Sequence, residues 1–258
     1  MQDNGYYTIK NNIWLENQRF AGSVLVESMA AAKEQIKEGI TTKQLNDTIE
    51  HVIVSNKCSP TFKGYNGFPE TACISLNNQI VHGIPNETII KDGDVLKIDI
   101  GVTHNDAIAD AATTIIVGGK SNPKIERLME SCKKSIYNVI DYLNNNLQTA
   151  RVGNIGYILK KEATSIGANV VKDLAGHTIE TEGRLHWTPF IPNFGNKGEG
   201  VHVLPNMTFA IEPMFIYGDN SIKLSDDKWV VLTKDIGVHF EHTLFIHNDR
   251  VEVITEGI

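Results

Sequence analysis

The stretch Val95-Leu-Lys-Ile-Asp-Ile-Gly-Val-Thr-His-Asn-Asp-Ala-Ile-Ala-Asp-Ala-Ala-Thr-Thr-Ile-Ile-Val117 decides the reading of this chain. Two β-like apolar runs flank Thr103–Asp106, where Asn105 suits a turn. With His104 and Asn105 as the two loop residues of a hairpin, Asp99 lies directly opposite Asp110 on one face. Like charges opposed across a strand pair are destabilising. The flanking Ile98, Ile100, Ala109 and Ala111 predict partial burial. Two buried carboxylates cannot both stay ionised without a proton or a cation between them, and a divalent metal is one answer. The other reading keeps one aspartate in a turn with a different register, because a slip of one residue puts the acids on opposite faces.

Helical periodicity lies on both sides of this stretch. Upstream, Leu15, Phe20, Val24, Leu25, Met29, Ala32 and Ile36 predict one helix, which Gly39 ends. Thr41 and Gln44 predict a capping box for a second, with Leu45, Ile49, Val52 and Ile53 as its apolar face. A Gly-, Pro- and aromatic-rich loop spans Ser59–Glu70, and strands are expected at Thr71–Leu76 and Gln79–His82. Gly118-Gly119 and Asn122-Pro123 then punctuate the chain. Downstream, helices are expected from Ile125 to Leu143 and over Ile155–Ile166. Strands are expected at Asn169–Lys172, Thr208–Glu212, Trp229–Leu232, Gly237–His247 and Arg250–Ile254. Two helices then strands thus occurs twice, in halves of about 1–120 and 121–258. The expected solution is α+β: two helix pairs covering one antiparallel sheet, with a site where the halves meet.

Composition narrows the function. The 258 residues are 41% hydrophobic, enough for a sizeable core, and the formal net charge of -7 argues against nucleic-acid binding. Cys58, Cys73 and Cys132 have neither CxxC spacing nor a framework pattern. The start of the chain lacks an apolar signal region, and no apolar run approaches the ~20 residues that span a bilayer. A soluble cytoplasmic protein is expected.

Further candidate ligands lie in the second half. His177 sits in Leu174-Ala-Gly-His-Thr-Ile, Glu212 in Thr208-Phe-Ala-Ile-Glu-Pro-Met, and Glu241 in Val238-His-Phe-Glu-His-Thr-Leu-Phe-Ile. An acid inside an apolar strand is costly unless paired or ligated, although each alone is more often an edge or ion-paired residue. With Asp99 and Asp110 they supply four carboxylates and one imidazole, a donor set suited to Mn, Fe, Co or Zn and sufficient for a two-metal site.

Thr71-Ala-Cys-Ile-Ser-Leu-Asn, Val81-His-Gly-Ile-Pro, Ile98-Asp-Ile, Ala109-Asp-Ala-Ala, Ala175-Gly-His, Ala210-Ile-Glu-Pro-Met and Phe240-Glu-His-Thr together resemble the type I methionine aminopeptidases of bacterial type. These have the pita-bread fold, and the resemblance covers nearly the whole chain. It implies a single metallopeptidase domain with two divalent ions. Asp99 would chelate one, Asp110 and Glu241 would bridge, and His177 and Glu212 would complete the second. His82, His186 and Glu212 would be catalytic. His82 and His186 would also contact substrate, and Tyr65, Phe68, Cys73 and Trp229 would bind the methionine side chain. The implied reaction removes the first methionine from nascent chains with a small second residue. A ribosome contact is an expectation from that substrate alone, and a monomer is expected. The chain departs from the family pattern in Phe62, in Leu185 and in a longer run from His177 to His186. His51, His104, His202, His239, His242 and His247 are left as structural. Two alternatives are an Xaa-Pro-directed aminopeptidase of the same fold and a non-catalytic binding protein on this scaffold.

Overall fold

The computed structural model describes residues 7–119 and 122–258, so the junction read near residue 120 lies outside the described residues. The chain opens with α1 (Asn12–Gln35) and α2 (Thr42–Ser55). Asn11 caps α1 by accepting from Trp14 N, and Thr41 and Gln44 form the expected capping box on α2. Strands β1 (Ser59–Pro60), β2 (Ala72–Leu76) and β3 (Gln79–Val81) lead into the hairpin β4 (Val95–His104) and β5 (Ala107–Ile116). The order then recurs with α3 (Pro123–Asn146) and α4 (Val152–Ser165). After them come β6 (Asn169–Val170), the hairpin β7 (Ala175–Glu180) and β8 (Arg184–Pro192), β9 (Thr208–Ile211) and β10 (Met214–Ile216). The last strands are β11 (Ile222–Leu224), β12 (Val231–Thr233), β13 (Gly237–His239), β14 (His242–Ile246) and β15 (Val251–Val253). Among the described residues, no helix is long and apolar enough to cross a membrane.

Alternation along the strands divides helix-facing from site-facing residues. Ile98 and Ile100 of β4 and Ala109 and Ala111 of β5 join Leu25, Met29, Leu45, Ile49 and Ile53 of α1 and α2 in one core. In the second half Phe209, Ile211, Val238, Phe240 and Leu244 join Leu128, Ile136, Val139 and Leu159 of α3 and α4. Full burial of side chains this large contributes about 1.5–3 kcal/mol each, so each helix pair is fixed by its own core. The intervening residues, among them Asp99, Asp110, Glu212 and Glu241, are turned to the opposite face.

Among the described residues all strand pairings are antiparallel, but they fall into four hydrogen-bonded groups rather than one ladder. The two largest are stitched between β5 and the segment joining β13 to β14. Glu241 N donates to Ala112 O at 2.9 Å, and Thr243 Oγ1 accepts from Asp110 N at 2.8 Å and donates to Asp110 O at 2.7 Å. This stitch breaks the run expected at Gly237–His247 into two strands. The halves are tied again where β3 pairs with β12, and where buried Gln18 of α1 donates to Ile108 O and Thr208 Oγ1.

Candidate metal centre

The β4–β5 hairpin turns on Asn105 and Asp106, with φ of 44° and 71°, not on His104 and Asn105. Two consecutive residues with positive φ match the twist of a tight hairpin. Moving the turn by one residue shifts the pairing by two, so Asp110 faces Gly101 and Asp99 faces Ala112. The aspartates are therefore diagonal neighbours on the same face, not directly opposed. Gly101 also makes room for the pocket, since a Cβ there would lie 2.6 Å from Phe62 Cε1.

Direct opposition occurs instead in the second half. The pairings His242↔Ile211 and Met214↔His239 share one register, and its continuation sets Glu212 against Glu241. His177 of β7 faces Ala210, which places it diagonal to Glu212 on the same surface. Candidate ligand atoms converge there in two sets, Asp110–His177–Glu241 and Glu212–His239–Glu241, each with its atoms within 4.8 Å of one another. Glu241 is common to both. His177 Nε2 lies 3.7 Å from both Asp110 Oδ2 and Glu212 Oε1. Its Nδ1 lies 2.8 Å from Leu185 O; a carbonyl can only accept, so Nδ1 carries the proton and Nε2 offers its lone pair to the acids.

Burial raises the acids. It pushes Asp99 up to about 7 and Glu212 up to about 8. Asp110 is pushed well above the carboxylate range by burial and then by Asp99 and Glu212, and Glu241 by burial and then by Asp110. Burial holds His177 at about 3, so its imidazole is neutral. Among the described residues, Asp99 Oδ1 and Asp110 Oδ1 are buried without a hydrogen-bond partner, as are both ring nitrogens of His239. Hard oxygens, neutral imidazole and orphaned polar atoms on one surface fit divalent cations.

The surface opens into a cavity of about 490 Å³ that brings together every site residue expected from the sequence. Phe62, Tyr65, Phe68, Cys73 and Trp229 form its apolar wall; the Phe68 and Trp229 rings meet edge to face with centroids 5.2 Å apart. Cys73 faces Asp99 across β2 and β4, and burial, then the nearby acids, raise its thiol well above its ordinary value. His82 reaches the cavity from a residue with φ of 59°, and burial, then His239, lower it to about 4. His186 stands at the solvent side, its ring 4.4 Å from that of His177 and its Nδ1 3.1 Å from Tyr65 Oη. The longer run between the two histidines is the β7–β8 hairpin, whose register irregularities return His186 to His177. Leu185 is buried in the apolar cluster that also holds Phe62, Phe68 and Cys73.

His239 is the member of these candidate sets that was not expected as a ligand from the sequence. A histidine in an apolar strand reads as core. The signal that finds it is its spacing of two from Glu241, which in extended chain means a shared face.

The sequence pattern of metallopeptidase family M24 matches residues 16–248. The methionine aminopeptidase of Mycoplasma capricolum is 38% identical over 96% of this chain and 98% of its own length. That of Clostridium perfringens is 36% identical at the same coverages. The crystal structure of Thermotoga maritima methionine aminopeptidase superposes with a TM-score of 0.90 at 29% identity, over 96% of this chain and 99% of that one. With sequence and structural agreement of this extent over nearly the whole chain, and acids and histidines converging on one cavity, the chain belongs to metallopeptidase family M24, on its methionine aminopeptidase branch.

Proposed function

We propose that this chain is a metal-dependent aminopeptidase that hydrolyses the N-terminal methionine from newly made chains whose second residue is small. The observation that carries the reading is the pair of ligand sets meeting at Glu241, beside an apolar pocket closed by Phe68 and Trp229. Asp99, Asp110, His177, Glu212 and Glu241 would hold two divalent ions drawn from Co, Mn, Fe or Zn. Such ions supply a nucleophilic water at neutral pH and polarise the scissile carbonyl. Glu212, whose proton affinity burial raises, accepts a proton and returns it to the leaving amine. His82 is neutral at pH 7 and serves as a hydrogen-bond partner for the substrate amide. His186, at the solvent side, is placed to donate to the developing oxyanion. The thioether of the departing methionine packs against Tyr65, Phe68, Trp229 and the Cys73 sulfur. Because candidate ligands come from both halves, residues 1–258 work as one catalytic domain. The substrate fits a cytoplasmic enzyme acting as a monomer.

A peptide panel tests the reading. Met-Ala-Ser is expected to be cleaved, Xaa-Pro peptides that do not begin with methionine to be left intact, and activity to vanish on chelation and return with Mn or Co. Preference for Xaa-Pro peptides, or full activity after exhaustive chelation, would contradict it.

A further inference from the structure

We infer that His239 is a sixth protein ligand of the metal centre, binding through Nε2 on the side held by Glu212 and Glu241. The inference rests on the metal-centre reading of the cluster and extends it. It begins with chain geometry. His239 and Glu241 are two residues apart in extended chain, and Met214↔His239 belongs to the register that sets Glu212 against Glu241. All three side chains therefore emerge on one surface. The His239 backbone is held on both sides: its N–H donates to Thr114 Oγ1 at 3.0 Å, and Thr114 Oγ1 donates to its carbonyl at 2.6 Å. The ring position is thus set by the sheet.

The ring itself is 1% exposed, and neither nitrogen has a hydrogen-bond partner among the described residues. Buried polar groups are ordinarily satisfied, and His242 shows what a structural histidine looks like three residues away. It is as deeply buried, yet its Nδ1 lies 3.0 Å from Thr255 Oγ1 and its Nε2 3.4 Å from Tyr137 Oη. His239 Nε2 instead points at two carboxylates, 3.5 Å from Glu212 Oε2 and 3.9 Å from Glu241 Oε2. These separations are too long for hydrogen bonds. They match coordination edges, because atoms bonded to one cation at about 2.1 Å stand about 3 to 4.2 Å apart. Each ligand set then contains one imidazole, His177 in one and His239 in the other, with Glu241 shared.

X-ray absorption at the zinc edge of protein loaded with two equivalents of zinc counts imidazoles directly, through their multiple scattering. Wild-type protein is expected to show two imidazoles across the two zinc ions, and His239→Gln one. Calorimetric titration with Co is expected to show the affinity of one site lowered at least about tenfold in His239→Gln, with an altered Co visible spectrum. One imidazole in the wild type overturns the proposal without needing the variant. So does a His239→Gln protein that folds and matches the wild type in scattering and Co affinity. Failure of the wild type to bind zinc at all would sink the metal-centre reading itself, and this inference with it.

Discussion

Glu180 is buried like Asp110 and Glu241 of the cavity, with Asp99 and Glu212 only partly exposed beside them, yet the fold treats their charge in opposite ways. Glu180 on β7 meets Lys10 Nζ at 2.6 Å, with both side chains essentially inaccessible, and its second oxygen accepts from Thr8 N at 3.0 Å. Its counter-charge is supplied by the chain. Asp99, Asp110, Glu212 and Glu241 have no such cation: among the described residues the contacts of this group that qualify as ion pairs are to His177 and His239, which burial holds neutral. Lys97 is fully buried and two residues from Asp99, but its Nζ donates to the carbonyls of Asn77 and Val95. A buried acid with a built-in partner is architecture; a buried group of acids without one is a receptor for a cation from outside.

This contrast orders four expectations. The largest effect concerns turnover. Asp99→Asn and Glu212→Gln should each lower hydrolysis of Met-Ala-Ser by about 10²–10⁴-fold while leaving the metal-free fold intact; near wild-type rates in either would break the contrast from the site's side. Lys10→Met should break it from the other side, costing about 3–5 kcal/mol of stability because Glu180 is left charged and unpaired, as read by urea denaturation.

The third effect is pH-dependent. An acid whose pKa is raised by folding keeps its proton in the fold where the unfolded chain, with values near about 4, has lost it. That contribution is fully present below that range, but below about pH 6.5 it is opposed by the buried histidines, which the unfolded chain protonates first. The metal-free protein should lose stability as pH rises through about 7 for Asp99 and about 8 for Glu212. Thermal melts above about pH 6.5, where the histidines no longer contribute, should show a midpoint that falls with rising pH without metal and a growing gain from added Mn. A midpoint that rises with pH over that range in the metal-free protein would contradict the assignment. The smallest effect sets the scale: Thr41→Ala touches neither kind of acid and removes one cap, which should cost about 1 kcal/mol.

Much of this was legible in the sequence because it rests on periodicity and caps. The four helices, the Thr41–Gln44 box and the β4–β5 hairpin follow from patterns a single chain displays. The opposition argument was sound in principle but fell on the wrong pair. Asn105 and Asp106 both accept positive φ, so composition does not choose between neighbouring turns, and the aspartates end up diagonal. A one-residue move of the turn preserves the face, and so the aspartates still share the site. The opposed pair, Glu212 and Glu241, comes from strands distant in sequence whose register no local signal reveals. The β7–β8 hairpin was not expected either. Its strand β8 is largely exposed and Pro-containing, and its bulged pairing lacks clean alternation. His239 stayed hidden because a lone imidazole among Val238 and Phe240 has the look of core until both of its nitrogens are found without partners among the described residues.

The most direct test of the central claim is calorimetric titration of metal-free protein with Mn near pH 7.5, repeated in buffers of different ionisation enthalpy. Saturable binding with release of protons from the raised carboxylates is the predicted result. Absence of saturable binding, or binding that releases no protons, would mean that these buried acids are satisfied by one another and that the cavity is no metal centre.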